Sequence, residues 1–132
     1  MQDMRYLNLF GKITGVDTRY CFKYNSYIVF SIPRHFVSKA IGEGGRNVRE
    51  MNRILGRKIK IIPHPEKKED MGDFIAGIIT PVTFKNLEIK NNEIILTAGN
   101  QNKAALIGRN KARILEMQKI IKDFFGMEFR IV

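Results

Sequence analysis

Apolar residues recur every third position near the start of the chain. Met4, Leu7, Phe10 and Ile13 predict a short helix over residues 3–14, which Gly15 ends. The stretch "VDTRYCFKY" (16–24) then reads as a strand and "NS" as a two-residue turn. "YIVFSI" (27–32), rich in β-branched and aromatic residues, reads as a second strand. "HFVSKA" and "VREMNRIL" both place apolar residues at helical spacing, yet "IGEGGRN" (41–47) lies between them. Each glycine inside a helix costs about 1 kcal/mol relative to alanine. The pattern therefore predicts two helices meeting at a break. Leu55-Gly56 closes the second of them, and "KIKII" (58–62) alternates charge and isoleucine as a third strand.

The same order then returns. Shifted by sixty-six positions, Gly11 meets Gly77, Ile13 meets Ile79, Asn25 meets Asn91, Ile28 meets Ile94, Ile41-Gly42 meets Ile107-Gly108 and Glu50 meets Glu116. Beyond that point the offset becomes seventy, so that Gly56 meets Gly126. Four extra residues are about one helical turn, which lengthens a helix without changing the face it presents. In the second copy "DFIAGII" reads as a helix with Pro81 just past its end, "VTFKNLEIK" as a strand, "NN" as a turn and "EIILTA" as a strand. "QNKAALIG" and "KARILEMQKIIKDFFG" follow as helices, and "EFRIV" as the last strand. Each copy is α-β-β-α-α-β, an α+β unit whose helices cover a three-stranded mixed sheet. Residues 1–62 and 73–132 are the expected domains, with "PHPEKKEDMG" (63–72) as the linker.

Charge narrows the partners. Twenty-three Lys and Arg against thirteen Asp and Glu give +10, a surface that attracts polyanions. No apolar run approaches the roughly 20 residues that cross a bilayer. The start lacks the pattern of a secretory signal, and the single Cys21 can form no internal disulfide. A cytoplasmic location and no membrane partner are expected.

The break between the helices can now be read chemically. Glycines admit positive φ and let another backbone come close. The loop ends at the start of the next helix, whose amides and dipole favour an anion. Arg46, Arg49 and Arg53 follow at spacings of three and four, on one face. Backbone amides at Gly44 to Arg46 are expected to take phosphate, reinforced by Arg46 and Arg49.

A GxxG loop between two helices, here Gly42-Glu43-Gly44-Gly45, resembles the signature of the KH domain, which clamps about four nucleotides of a single strand. The order α-β-β-α-α-β, with one strand after each helix pair, is similar to the type II form of that fold. Two such units in tandem resemble the NusA family of transcription factors in its short archaeal form. "AIGEGGRNVREMNRILGRKIKII" carries most of the likeness and "ALIGRNKARI" the rest. The resemblance implies a protein that binds single-stranded RNA, the nascent transcript, and acts in elongation, termination or antitermination with RNA polymerase as partner. Bacterial members add a polymerase-binding N-terminal domain and an S1 domain, and neither is expected in this chain.

The implied RNA-binding residues are Ile41, Gly42, Glu43, Gly44, Gly45, Arg46 and Arg49, with Gly108, Arg109, Asn110 and Lys111 in the second copy. Lys111 stands where the pattern has its last glycine, so the tighter phosphate clamp is expected in the first unit. Ile41 and Ile107 form either an apolar floor under a base or part of the core. Arg34, Lys39, Lys58 and Lys60 are either solvated surface or RNA contacts.

No enzyme is expected. His35 and His64 stand apart with one cysteine, so neither a zinc-ligand spacing nor a nucleophile–base set can be assembled, and GxxxxGK[ST] is absent. No cofactor, metal or small-molecule substrate follows. The alternative to a transcription factor is a ribosome-associated structural RNA binder.

Overall fold

A computed structural model describes residues 4–132 of the chain. Its contacts divide the chain into two compact units, Met1–Glu66 and Lys67–Val132.

In the first unit, α1 (Met4–Thr14) buries Phe10, whose ring stacks on Phe30 with centroids 4.3 Å apart. Position 3, where the pattern starts this helix, lies outside the described residues. Gly15 ends it at φ 73°, with its amide donating to the Gly11 carbonyl at 2.9 Å. Strand β1 (Tyr20–Tyr24) turns through Asn25 and Ser26, both at positive φ, into β2 (Tyr27–Ile32). This is the backbone that two-residue hairpins require. A short turn at Arg34–Phe36 leads into α2 (Val37–Ile41), and the glycine loop connects α2 to α3 (Arg46–Leu55). The last strand, β3 (Lys58–Pro63), returns parallel to β2, so β2 is central between antiparallel β1 and parallel β3. One face of this sheet supplies Cys21, Ile28, Phe30, Ile32 and Ile59 to a core shared with Phe10, Val16, Ala40 and Met51.

The second unit repeats the plan with α4 (Met71–Ile79), β4 (Asn86–Lys90), β5 (Glu93–Thr97), α5 (Asn100–Ile107), α6 (Ala112–Phe125) and β6 (Glu128–Ile131). Asn91 and Asn92 form its hairpin turn at positive φ. Even the register repeats: Tyr27 pairs with Lys58 across β2 and β3, and Glu93 pairs with Glu128 across β5 and β6. The four extra residues lie in α6, which has 14 residues against 10 in α3. The mixed three-stranded sheets and the element order are those of two type II KH units.

Boundaries differ from expectation in three places. β1 starts at Tyr20 rather than position 16, because two threonine side chains take up the preceding backbone. Thr14 Oγ1 accepts from the Val16 amide at 3.0 Å. Thr18 Oγ1 accepts from the Tyr20 amide at 3.1 Å and donates to the Ser31 carbonyl at 2.7 Å. β4 is shorter by the same kind of margin and starts at Asn86. Within residues 63–72, Pro63 still pairs with Ile32 and α4 has already begun at Met71. Proline is tolerated at this end of an edge strand because no partner needs its missing N–H.

Candidate nucleic-acid interface

The first loop is a tight turn with three glycines in conformations that ordinary residues avoid. Gly42 has φ 81° and ψ 162°, Gly44 φ 61° and ψ 21°, and Gly45 φ 77° and ψ 19°. Space also matters at Gly42. A Cβ there would lie 3.1 Å from the Asn47 amide nitrogen and 3.0 Å from its side chain, so the loop closes onto the first turn of α3 only with glycine.

The second loop has the same backbone in a different sequence. Gly108 (φ 77°, ψ 168°), Asn110 (φ 55°, ψ 29°) and Lys111 (φ 63°, ψ 22°) match Gly42, Gly44 and Gly45 in turn. Gly108 is as crowded as its counterpart, because a Cβ would stand 2.9 Å from the Arg113 amide nitrogen. The fold therefore sets the loop shape, with residues 108–111 meeting it despite two side chains where the first loop has glycine.

The amides are spent differently from expectation. The Gly45 amide donates to the Gly42 carbonyl at 3.0 Å, and the Arg46 amide donates to the Glu43 carbonyl. The turn thus consumes two of the three amides assigned to phosphate. Lys111 and Ala112 donate in the same way to Gly108, at 3.1 Å, and to Arg109. Side chains must then supply more of any anion contact. Arg49 Nη1 donates to the Gly44 carbonyl and braces the loop from α3. Arg53, expected on the same arginine face, is instead paired with Glu50 at 2.5 Å, and that pairing holds the Glu50 carboxyl below its usual pKa.

A shallow groove of about 380 Å³ runs beside the first loop, lined by Arg34, Val37, Ser38, Ile41, Gly42 and Pro63. Ile41 is half-buried and lines this groove, so it is not wholly a core residue. Arg34, Ser38 and Pro63 were not singled out as a set by the sequence reading. The signal for two of them was present, since Arg34, Ser38 and Ile41 follow at spacings of four and three and so share a helical face. Pro63 joins only through the parallel pairing of β3 with β2.

The comparisons with known proteins agree with this geometry. The KH domain family matches residues 27–77. A protein of Methanococcus vannielii named "Probable transcription termination protein NusA" is 30% identical over 97 residues, which are 72% of this chain and 54% of that protein. A protein of the same name from Halococcus morrhuae is 21% identical over 128 residues, 95% of this chain and 90% of its own length. The chain is similar to these archaeal proteins and carries a match to the KH domain. It spans about half the length of its Methanococcus relative. The crystal structure of APE1850 shares the fold, with a TM-score of 0.66 at 23% identity over 98% of this chain and 96% of that one.

The two loop sites are not equivalent. The positions of Arg46 and Arg49 are taken by Ala112 and Leu115 in α6, and Leu115 is 57% exposed. In return the second loop itself carries Arg109 and Lys111. A Cβ on Gly45 would stand 3.4 Å from Arg49 Nη1, at the limit of contact. Leu115 stands in α6 where Arg49 braces the first loop from α3.

Proposed function

We propose that the chain is a non-catalytic transcription factor that holds single-stranded nascent RNA at both glycine loops. RNA polymerase would be its partner in elongation, termination or antitermination, in the cytoplasm. The observation that carries this reading is the loop repeated in backbone detail at the start of α3 and α6, with cations gathered at each. In the first unit Arg46 and Arg49 would meet phosphate, helped by the positive end of α3. The strand would follow the groove, with a base on Ile41 beside Arg34 and Ser38. In the second unit Arg109 and Lys111 would make the phosphate contact from the loop, with Gly108 and Asn110 shaping it. The names of the relatives supply the link to transcription. The domain division proposed with it has two binding units, the first running through Pro63 and the second from Met71, with the connection between them.

The test exploits the second loop as a template. Gly44→Asn copies Asn110, which already adopts this conformation, and a Cβ at Gly44 meets nothing within 4 Å. Gly44→Asp has nearly the same shape but adds a negative charge where phosphate lies. Gly44→Asp is expected to weaken single-stranded RNA binding about tenfold or more, the scale of one charge-assisted contact. Gly44→Asn is expected to stay close to wild type. A folded Gly44→Asp protein that binds RNA as tightly as wild type would remove the loop from the interface. Co-purification with polymerase rather than with ribosomal subunits separates the transcription role from a structural role in the ribosome.

A further inference from the structure

The sheet of the first unit has a second face, away from the helical layer, that the loops do not explain. On it two lysines of the neighbouring edge strand lie over the Tyr27 ring: Lys60 Nζ is 4.6 Å and Lys58 Nζ 5.6 Å from its centroid. Lys58 is exposed, while Tyr27 and Lys60 are half-buried. Partial burial pushes the Lys60 pKa below its ordinary value.

The repeat supplies an internal control. Tyr27, Lys58 and Lys60 correspond to Glu93, Glu128 and Arg130, by sequence offset and by strand register alike. In the second unit those positions carry two carboxylates and a guanidinium. Arg130 pairs with Glu93 at 3.1 Å, and Glu128 with Lys122 at 2.7 Å. The first unit has replaced two carboxylates by an aromatic ring and a lysine and kept the cation at the third position. The fold does not need that change, since the second unit folds without it. Lysines on an edge strand can serve to prevent edge-to-edge pairing. That role does not call for a tyrosine beneath them. An aromatic surface flanked by cations is the arrangement that binds single-stranded nucleic acid without regard to sequence, through base stacking and phosphate contact.

Its position also suits such a strand. Pro63, at the other end of β3, lines the groove beside the glycine loop on the helical face, so a strand leaving the groove reaches Lys58 and Lys60 on the opposite face across the edge of β3. Five residues of strand separate Pro63 from Lys58, about 17 Å. We infer that Tyr27, Lys58 and Lys60 form a second RNA-contacting surface in the first unit, which takes up single-stranded RNA that leaves the groove over the edge of β3. This rests on the RNA-binding reading of the loop and extends it to a longer footprint.

The test compares two RNA lengths on the full chain: an oligomer of about four nucleotides, enough for one loop and groove, and one roughly three times longer. Lys58→Glu/Lys60→Glu is expected to weaken the longer oligomer about tenfold. The slope of log affinity against log salt should fall by about 1.4, since each phosphate contact on a single strand contributes about 0.7. The short oligomer should lose far less, because Lys58 at about 17 Å and Lys60 at about 10 Å from Pro63 both lie beyond the Debye length of about 8 Å at physiological salt. Tyr27→Leu should weaken the longer oligomer by about tenfold and Tyr27→Phe should not, as stacking needs only the ring. Circular dichroism and melting establish that each variant is folded. If the folded charge-reversal variant binds the longer RNA with wild-type affinity and salt slope, the second surface is overturned. An equal loss for both lengths would also overturn it, by showing a general field effect. Failure of the loop reading looks different, because wild type would then bind neither oligomer or Gly44→Asp would leave both unchanged.

Discussion

Lys111 holds a left-handed backbone, at φ 63° and ψ 22°, where its counterpart in the first loop is Gly45. That conformation costs a residue with a Cβ roughly 1–2 kcal/mol. Glycine would remove the strain but add freedom to the unfolded chain, an opposing effect of about 0.4–1 kcal/mol. Lys111→Gly is therefore expected to stabilise the protein by about 0.5–1 kcal/mol, read as a higher denaturant midpoint with an unchanged slope. RNA binding should weaken without being abolished, since Arg109 remains in the loop. A variant that is less stable than wild type would mean that the lysine side chain makes a contact worth more than the strain. The sequence made this position visible as a departure from GxxG. It did not make visible that a lysine holds the same left-handed backbone there, because the fold rather than the residue type sets the shape of the loop.

At the scale of elements, the pattern was legible where burial is one-sided or complete. "YIVFSI" coincides with β2 because a central strand with most of its residues buried needs a continuous apolar run. The change of offset from sixty-six to seventy located the extra turn of α6. Strand starts were less legible, because the threonine hydroxyls of Thr14 and Thr18 compete for backbone groups that alternation assigns to the ladder. His64 was legible only as a histidine outside any metal pattern. In the fold its amide extends the β2–β3 pairing to the Ile32 carbonyl at 2.7 Å. Its ring stacks on Tyr20 at 3.8 Å, and its Nδ1 lies 2.8 Å from Ser31 Oγ. Burial is the main cause that lowers its pKa from the ordinary 6.5. Arg19 adds to the effect and Glu66 opposes it. Between that lowered value and about 6.5 the unfolded chain binds more protons than the folded one, so stability falls as pH drops through this window and is complete above it. The wild-type melting temperature is expected to fall further between about pH 7.5 and pH 5 than that of His64→Gln, which cannot titrate. Equal falls would show that His64 is not the group responsible.

Across the whole molecule, charge is distributed unequally between units of the same fold. Residues 1–66 carry twelve Lys and Arg against five Asp and Glu, and residues 67–132 carry eleven against eight. The helix that follows the first loop presents Arg46 and Arg49, whereas the one that follows the second presents Ala112 and Leu115. A phosphate at the first loop would thus meet cations from the helix in a more positive surround. At the second it would meet Arg109 and Lys111 on a loop whose neighbour Arg113 is already engaged with Glu116 at 3.1 Å. Two units tethered in one chain raise each other's effective RNA concentration, so the weaker contact still adds to binding. The repeat allows the same substitution at the same backbone position in both units, because Gly44 and Asn110 share one conformation and aspartate tolerates it. Gly44→Asp is expected to cost about tenfold in affinity for an RNA that reaches both loops, and Asn110→Asp about threefold, since less charge-assisted binding is lost there. Titrations of both variants at one salt concentration, with melting curves to confirm that each is folded, give the comparison directly. An Asn110→Asp loss equal to or larger than that of Gly44→Asp would place the tighter clamp in the second unit, and the glycines of the first loop would then matter for its turn rather than for its grip.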